Sequence, residues 1–177
     1  AIAGLLTSST GAPLSNVANI IKLLTADAAL QGRIAFNEFS QRMIARCPLP
    51  WDDGTELRDW TDTDDIELAA YIQAEGLNVA TETVRQGVSA FAARNKFHPV
   101  VEYLGGLNWD STSRIERWTI DHLGTSDCRY NREVGGRWLI GAVARVMKPG
   151  CKMDTALILE GPQNLGKSSA LRILAVN

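Results

Sequence analysis

The stretch Asp154–Asn177, DTALILEGPQNLGKSSALRILAVN, decides how the rest of the chain is read. Within it Gly161-Pro162-Gln163-Asn164-Leu165-Gly166-Lys167-Ser168 fits G-x-x-x-x-G-K-[ST], the P-loop or Walker A pattern. Thr155–Leu159 before it is an apolar run of strand length, and Ser169–Leu174 after it reads as a helix start. Strand, glycine loop and helix in that order are what phosphate binding by such a loop requires.

Each position has a physical reason. Gly161 and Gly166 let the backbone take positive φ and approach a polyphosphate closely, so that successive N–H groups point at its oxygens. Asn164 supplies a third bend, since Asn tolerates the left-handed region better than most residues. A helix starting near Lys167 adds unpaired N–H groups and the positive end of its dipole. Lys167 would reach the β- and γ-phosphates, and the Ser168 hydroxyl would ligate Mg²⁺ carried by the nucleotide. The expected phosphate site is Gly161, Pro162, Gln163, Asn164, Leu165, Gly166, Lys167, Ser168 and Ser169, with Lys167 and Ser168 in the catalytic roles. A coincidental glycine turn carrying an exposed lysine is the plainer account; the flanking strand and helix weigh against it.

Moving outward, 177 residues suffice for one domain with a real core or for one and a half small ones. A hydrophobic content of 45% with 21% charged residues is that of an ordinary globular protein. No apolar run reaches membrane-spanning length and no leader is legible at the start, so a cytoplasmic protein is expected. Cys47, Cys128 and Cys151 lie far apart, and His98 and His122 are isolated. That spacing fits neither a zinc site nor a disulfide framework. The net charge of −2 hides an asymmetry: residues 1–80 carry five basic and eleven acidic side chains, residues 81–177 thirteen and nine. Any nucleic-acid surface is therefore expected in the second half.

Residues 1–15 are rich in small side chains and are expected as a flexible lead. Over 16–97 the pattern predicts a helical region with one small β-hairpin. Val17, Ile20, Ile21 and Leu24 have helical spacing, and RIAFNEFSQRMIAR (Arg33–Arg46) alternates on either side of Asn37–Gln41. Asp52, Asp53, Asp62, Asp64 and Asp65 suggest a cation site at first sight; Thr61 with Asp64 has instead the form of a capping box, and acids in a first turn complement the helix dipole. Helices over Asp64–Glu75 and Thr81–Arg94, split by Gly76–Ala80, form a helix-turn-helix-like pair with Thr81, Arg85 and Ser89 on one face. Such a pair either reads DNA or simply packs.

Residues 98–153 are expected as a helical linker or lid. Two short helices flank Gly105-Gly106, the second opened by a Ser113–Glu116 capping box. A longer helix then ends at Pro149-Gly150, with Trp138, Leu139, Ala142, Val143 and Val146 on its apolar side. Arg137, Arg145 and Lys148 fall on the other side, as candidate contacts to nucleic-acid phosphates or as a solvated face. Residues 154–177 supply the strand, loop and helix of the P-loop. The fold class expected is thus mainly α with a small hairpin, joined to the opening strand and helix of a truncated P-loop α/β ATPase core.

Four segments together resemble the virulence-associated protein E family of phage, prophage and plasmid replication ATPases. They are AFNEFSQRMIARCPLPW (Ala35–Trp51), WTDTDDIELAAYIQ (Trp60–Gln73), NKFHPVVEYLGGLNWD (Asn95–Asp110) and GGRWLIGAVARVMKPGCKMDTALILEGPQNLGKSSALRIL (Gly135–Leu174). The resemblance runs from about Val17 to the end. It implies a ring-forming, ATP- and Mg²⁺-dependent DNA helicase, often coupled to a primase, acting on single strands or a replication fork with no membrane partner. The family loop tends to carry glycine where Asn164 stands here. Walker B acid, sensor and arginine finger have no place in the nine residues after Ser168, so the chain reads as part of a longer polypeptide that alone turns over ATP negligibly. Under that reading the terminal strand and helix are poorly ordered or held by a non-native contact. A non-catalytic DNA-binding or oligomerisation module is the alternative, and a P-loop kinase or signalling NTPase a third.

Overall fold

A computed structural model describes residues 4–175, the side chain of Ala175 excepted, and divides into two compact units, residues 1–102 and 103–177. The boundary between them lies at residues 102 and 103. It falls inside a helix, α4 (Pro99–Gly106).

In the first unit, α1 (Val17–Ala26) precedes a hairpin of β1 (Ile34–Asn37) and β2 (Arg42–Arg46). Its turn is fixed by Asn37, whose Oδ1 accepts the N–H groups of Phe39 and Ser40. The hairpin is the middle of a four-stranded sheet, not a solitary ribbon. β3 (Leu57–Asp59) pairs antiparallel with β2, and β4 (Lys96–Phe97) pairs parallel with β1, giving the order β3-β2-β1-β4. With seven helices and this sheet among the described residues, the fold is mixed α/β, which corrects the mainly α expectation. The two outer strands are too short and polar to announce themselves by alternation.

Helices α2 (Asp62–Ala74) and α3 (Thr81–Ala92) form as expected, separated by a turn in which Gly76 takes φ +95°. α3 buries Val84, Gly87, Val88 and Phe91 and leaves Thr81, Arg85 and Ser89 exposed. Ile20 of α1 lies so close to Gly87 that a Cβ there would overlap its Cγ2. The two helices meet across the glycine, over a core that includes Leu24, Ile34, Leu68 and Ile72.

The acidic segment is organised by an arginine. Arg58 on β3 donates Nη1 and Nη2 to the two Asp64 carboxylate oxygens at 2.8 and 2.7 Å, and Nε to Asp52 at 2.7 Å. Trp51 Nε1 and the N–H and hydroxyl of Thr61 complete the Asp64 shell, so Thr61 and Asp64 do cap α2. Burial pushes the Asp64 carboxyl up, but Arg58, Trp51 and Thr61 outweigh it and hold it well below the usual carboxylate range. The neighbouring Asp65 accepts only the Trp60 indole N–H at 2.9 Å, and burial pushes it up.

Residues 4–15, within the expected flexible lead, make contacts of their own. Thr7 bridges Pro13, and buried Asn19 accepts the Leu6 N–H while its amide donates to the carbonyls of Leu6 and Leu14. One buried side chain thereby satisfies a strap of backbone that has no ladder of its own.

The second unit holds α5 (Trp118–Leu123), α6 (Arg129–Met147) and α7 (Lys167–Ala175). The expected Ser113–Glu116 capping box does not form. Asp110 instead accepts the Thr112 N–H at 3.0 Å and both Arg114 Nη groups at 2.8 and 2.6 Å, and the helix starts only at Trp118. The aspartate offers stronger, charge-assisted bonds than a serine cap, which shifts the boundary. α5 and α6 approach closely at Gly135, where a Cβ would stand 2.7 Å from Thr119 Cγ2 and 2.9 Å from Trp118 Nε1.

Candidate functional site

Behind α6, Pro149 and Gly150 (φ +85°) turn the chain into Cys151–Pro162, which carries no helix and no ladder. The expected strand Thr155–Leu159 is therefore corrected to an unpaired segment, with Ile158 77% exposed. Strand propensity needs a partner ladder, and no described strand lies beside this segment.

The loop after it has the backbone foreseen. Gly161, Asn164 and Gly166 take φ of +152°, +68° and +75°. Gly161 is favoured by its φ, which side-chain-bearing residues rarely adopt. α7 begins at Lys167, and the first amide to return to the preceding loop is that of Ala170, to the Gly166 carbonyl at 2.9 Å. The N–H groups of Lys167, Ser168 and Ser169 thus lack intrahelical partners, as in any first turn. Lys167 folds back over the loop, its Nζ donating to the Gly161 and Pro162 carbonyls at 2.8 and 2.7 Å. Pro162, Gln163, Leu165, Ser168 and Ser169 are exposed, so an anion has open access to amides, ammonium and hydroxyls. This donor set fits a polyphosphate and the Mg²⁺ it carries.

The basic side chains of α6 are distributed as the spacing requires. Arg137 is exposed and paired with Glu133 at 3.2 Å, Arg145 lies exposed in the last turn, and Lys148 caps the helix with its N–H on the Ala144 carbonyl. On a 3.6-residue period Arg137 and Lys148 share one line with Tyr130, itself 73% exposed, and Arg145 lies within a quarter-turn of it. The α3 face carries no free arginine, since Arg85 is bidentate to Glu82 at 2.8 and 2.6 Å.

Two clusters escaped the sequence reading. One is Arg58 with its aspartates. The other is Asp127, bound by Arg132 Nε at 2.6 Å and by Arg117 Nη1 at 3.1 Å, which together bring its carboxyl down to about 2. The pairing Asp127–Arg132 spans a helix start, where no fixed spacing signals it. Among the described residues no group of three or more His, Cys, Asp or Glu could hold a metal, and no helix is long and apolar enough to cross a membrane.

No curated protein matches the chain. The family match starts one residue into the second unit, and it is narrower than the resemblance read from Val17 onward. Residues 104–177 match the model of the virulence-associated protein E-like domain, the family to which the sequence pointed.

Proposed function

We propose that residues 161–169 bind the β- and γ-phosphates of Mg²⁺-ATP. The chain then belongs to an ATP-dependent DNA helicase or primase-associated ATPase that serves replication of a phage, prophage or plasmid. The observation that carries this reading is the loop itself. Three left-handed or extended-positive residues lead straight into a helix start, with an ammonium held over the bend. On nucleotide arrival Lys167 exchanges two neutral carbonyls for phosphate oxygens, a charge-assisted and stronger bond. The unpartnered amides of Lys167, Ser168 and Ser169 would hold phosphate oxygens, and Ser168 Oγ would ligate the Mg²⁺. Bound Mg²⁺ supplies neutralisation of the charge that develops on the transferred phosphoryl group.

The partners of this reading are single-stranded or forked DNA, further copies in a ring and a primase function, in the cytoplasm. The second reading, a non-catalytic DNA-binding or oligomerisation module, draws on the exposed line of Arg137, Lys148 and Tyr130 with Arg145 beside it.

Titration of a fluorescent ATP analogue with Mg²⁺ tests the first reading. Saturable binding that weakens at least about tenfold in Lys167→Ala is expected, equivalent to about 1.4 kcal/mol. Binding indifferent to that change removes the loop from the site. Binding of single-stranded DNA that falls on charge reversal of Arg145 and Lys148, with no nucleotide binding at all, leaves the second reading.

A further inference from the structure

The lead-in to the phosphate loop is placed without backbone hydrogen bonds. Cys151 donates its N–H to the Lys148 carbonyl at 3.1 Å, and among the described residues no backbone–backbone bond involves 152–160. Lys152 and Asp154 pair with each other at 3.0 Å, a contact local to the segment. Side chains place it instead: Met153, Leu157 and Leu159 are half-buried, while Ile158 and Glu160 are exposed.

Helix α6 offers Met153 a socket. Gly141 stands inside that helix, where glycine is the poorest helix former apart from proline. A Cβ there would stand 2.7 Å from both Sδ and Cε of Met153 and 3.5 Å from its Cγ, and these are its three nearest heavy atoms. The tip of Met153 therefore occupies the volume that a side chain at 141 would fill. An unbranched thioether adapts well to such a notch. The Pro149-Gly150 turn reverses the chain, and the socket receives it about 9 Å back along α6 from Met147.

We propose that Gly141 and Met153 are positioning residues of the nucleotide site: the socket docks the lead-in on α6 and so presents Gly161 and the loop after it in the geometry that phosphate binding needs. The proposal rests on the nucleotide reading above and adds to it a determinant outside the glycine-loop pattern. Half-buried Leu159 stands two residues before Gly161, so little exposed chain separates the docked stretch from the loop. On the far side α7 is in contact with α5, and the loop is thereby held from both ends. With Met153 out of its socket the lead-in is less ordered, and nucleotide binding has to order it at a cost in affinity.

The test uses the whole chain and the fluorescent ATP analogue with Mg²⁺. Gly141→Ala evicts the tip of Met153, a flexible end that moves at little cost, and adds helix propensity to α6. The melting temperature should stay or rise, whereas affinity for the analogue should fall about fivefold. A contact that merely stabilised the unit would move both in the same direction. Met153→Val removes Sδ and Cε and keeps carbon at the Cγ position, which lies in ordinary contact with a Cβ at 141. Alone it should lose a comparable affinity by leaving the socket empty; combined with Gly141→Ala it should return to within about twofold of the parent. Trypsin gives a readout that needs no nucleotide. Cleavage after Lys152, whose side chain is 85% exposed, should speed up in each single variant and slow again in the pair. Parent affinity in both single variants, or a pair weaker than either, overturns the proposal; loss of binding in Lys167→Ala would show that the nucleotide reading itself still stands. A parent chain that binds no nucleotide overturns both.

Discussion

Asn164 shows how a single backbone angle carries a functional reading. At φ +68° it sits where a residue with Cβ pays about 1 kcal/mol unless its side chain is short and polar, or absent. Asn164→Gly should leave nucleotide affinity within about twofold of the parent, while Asn164→Val should weaken it by about tenfold or more, because a β-branched residue resists that region. Equal affinities for the two variants in the same analogue titration would detach the bend from binding. Asp64 and Asp65 are adjacent yet have opposite signs in acid. The folded carboxyl of Asp64 is depressed, so its stabilisation is complete above the unfolded value of about 3.9 and is lost as pH falls through the lower folded value. Asp65 is raised by burial, so its contribution is complete below the unfolded value and is lost as pH rises through the folded one. Asp64→Asn should therefore lower the melting temperature at pH 7. Asp65→Asn, which keeps an oxygen for the Trp60 indole, should raise it at pH 7 and leave it little changed at pH 3. Melts at the two pH values decide both signs.

Elements were legible where their signals are local. The hairpin turn at Asn37, the Gly76 break between α2 and α3, and the helix start at Lys167 each rest on residues within four positions of one another. Where the determinant is remote, the reading failed. β4 exists because Phe36 and Asn37 lie beside Lys96 and Phe97, some sixty residues on, and the Thr155–Leu159 run has propensity but no neighbour. Ser113 is the local exception: it lost its capping role to Asp110, three residues away, whose i,i+4 ion pair with Arg114 outcompetes a neutral serine cap. The contact of α1 with α3 belongs to the non-local class and yields a sharp test. Gly87→Ala gains about 1 kcal/mol of helix propensity and meets Ile20 head-on, for a net loss of about 1–2 kcal/mol. With Ile20→Ala present the clash disappears, so Gly87→Ala should then be neutral or stabilising. Denaturant midpoints of the four-member cycle measure this coupling, and additive values would mean that the helices do not meet at Gly87.

At the scale of the molecule the two units are built to different standards. All seventeen residues of the hydrophobic core cluster lie between Ile20 and Ala92. In the second unit the described residues classed as buried are Trp118, Thr119, Gly135 and Gly136, and the Trp118 indole N–H has no hydrogen-bond partner. Apolar area removed from water sets most of folding stability, so the second unit should open first. Calorimetry of the chain should resolve two transitions, and hydrogen exchange should protect amides of α1, α3 and β1 longest while Cys151–Pro162 exchanges fastest. Ligands that bind one unit raise only its transition, by an amount set by concentration over Kd. Mg²⁺-ATP at saturating concentration should therefore raise the lower transition and leave the upper one unmoved, and Lys167→Ala should cancel that shift. A shift of the upper transition instead would place the nucleotide on residues 1–102 and remove the loop at Gly161–Ser168 from its recognition.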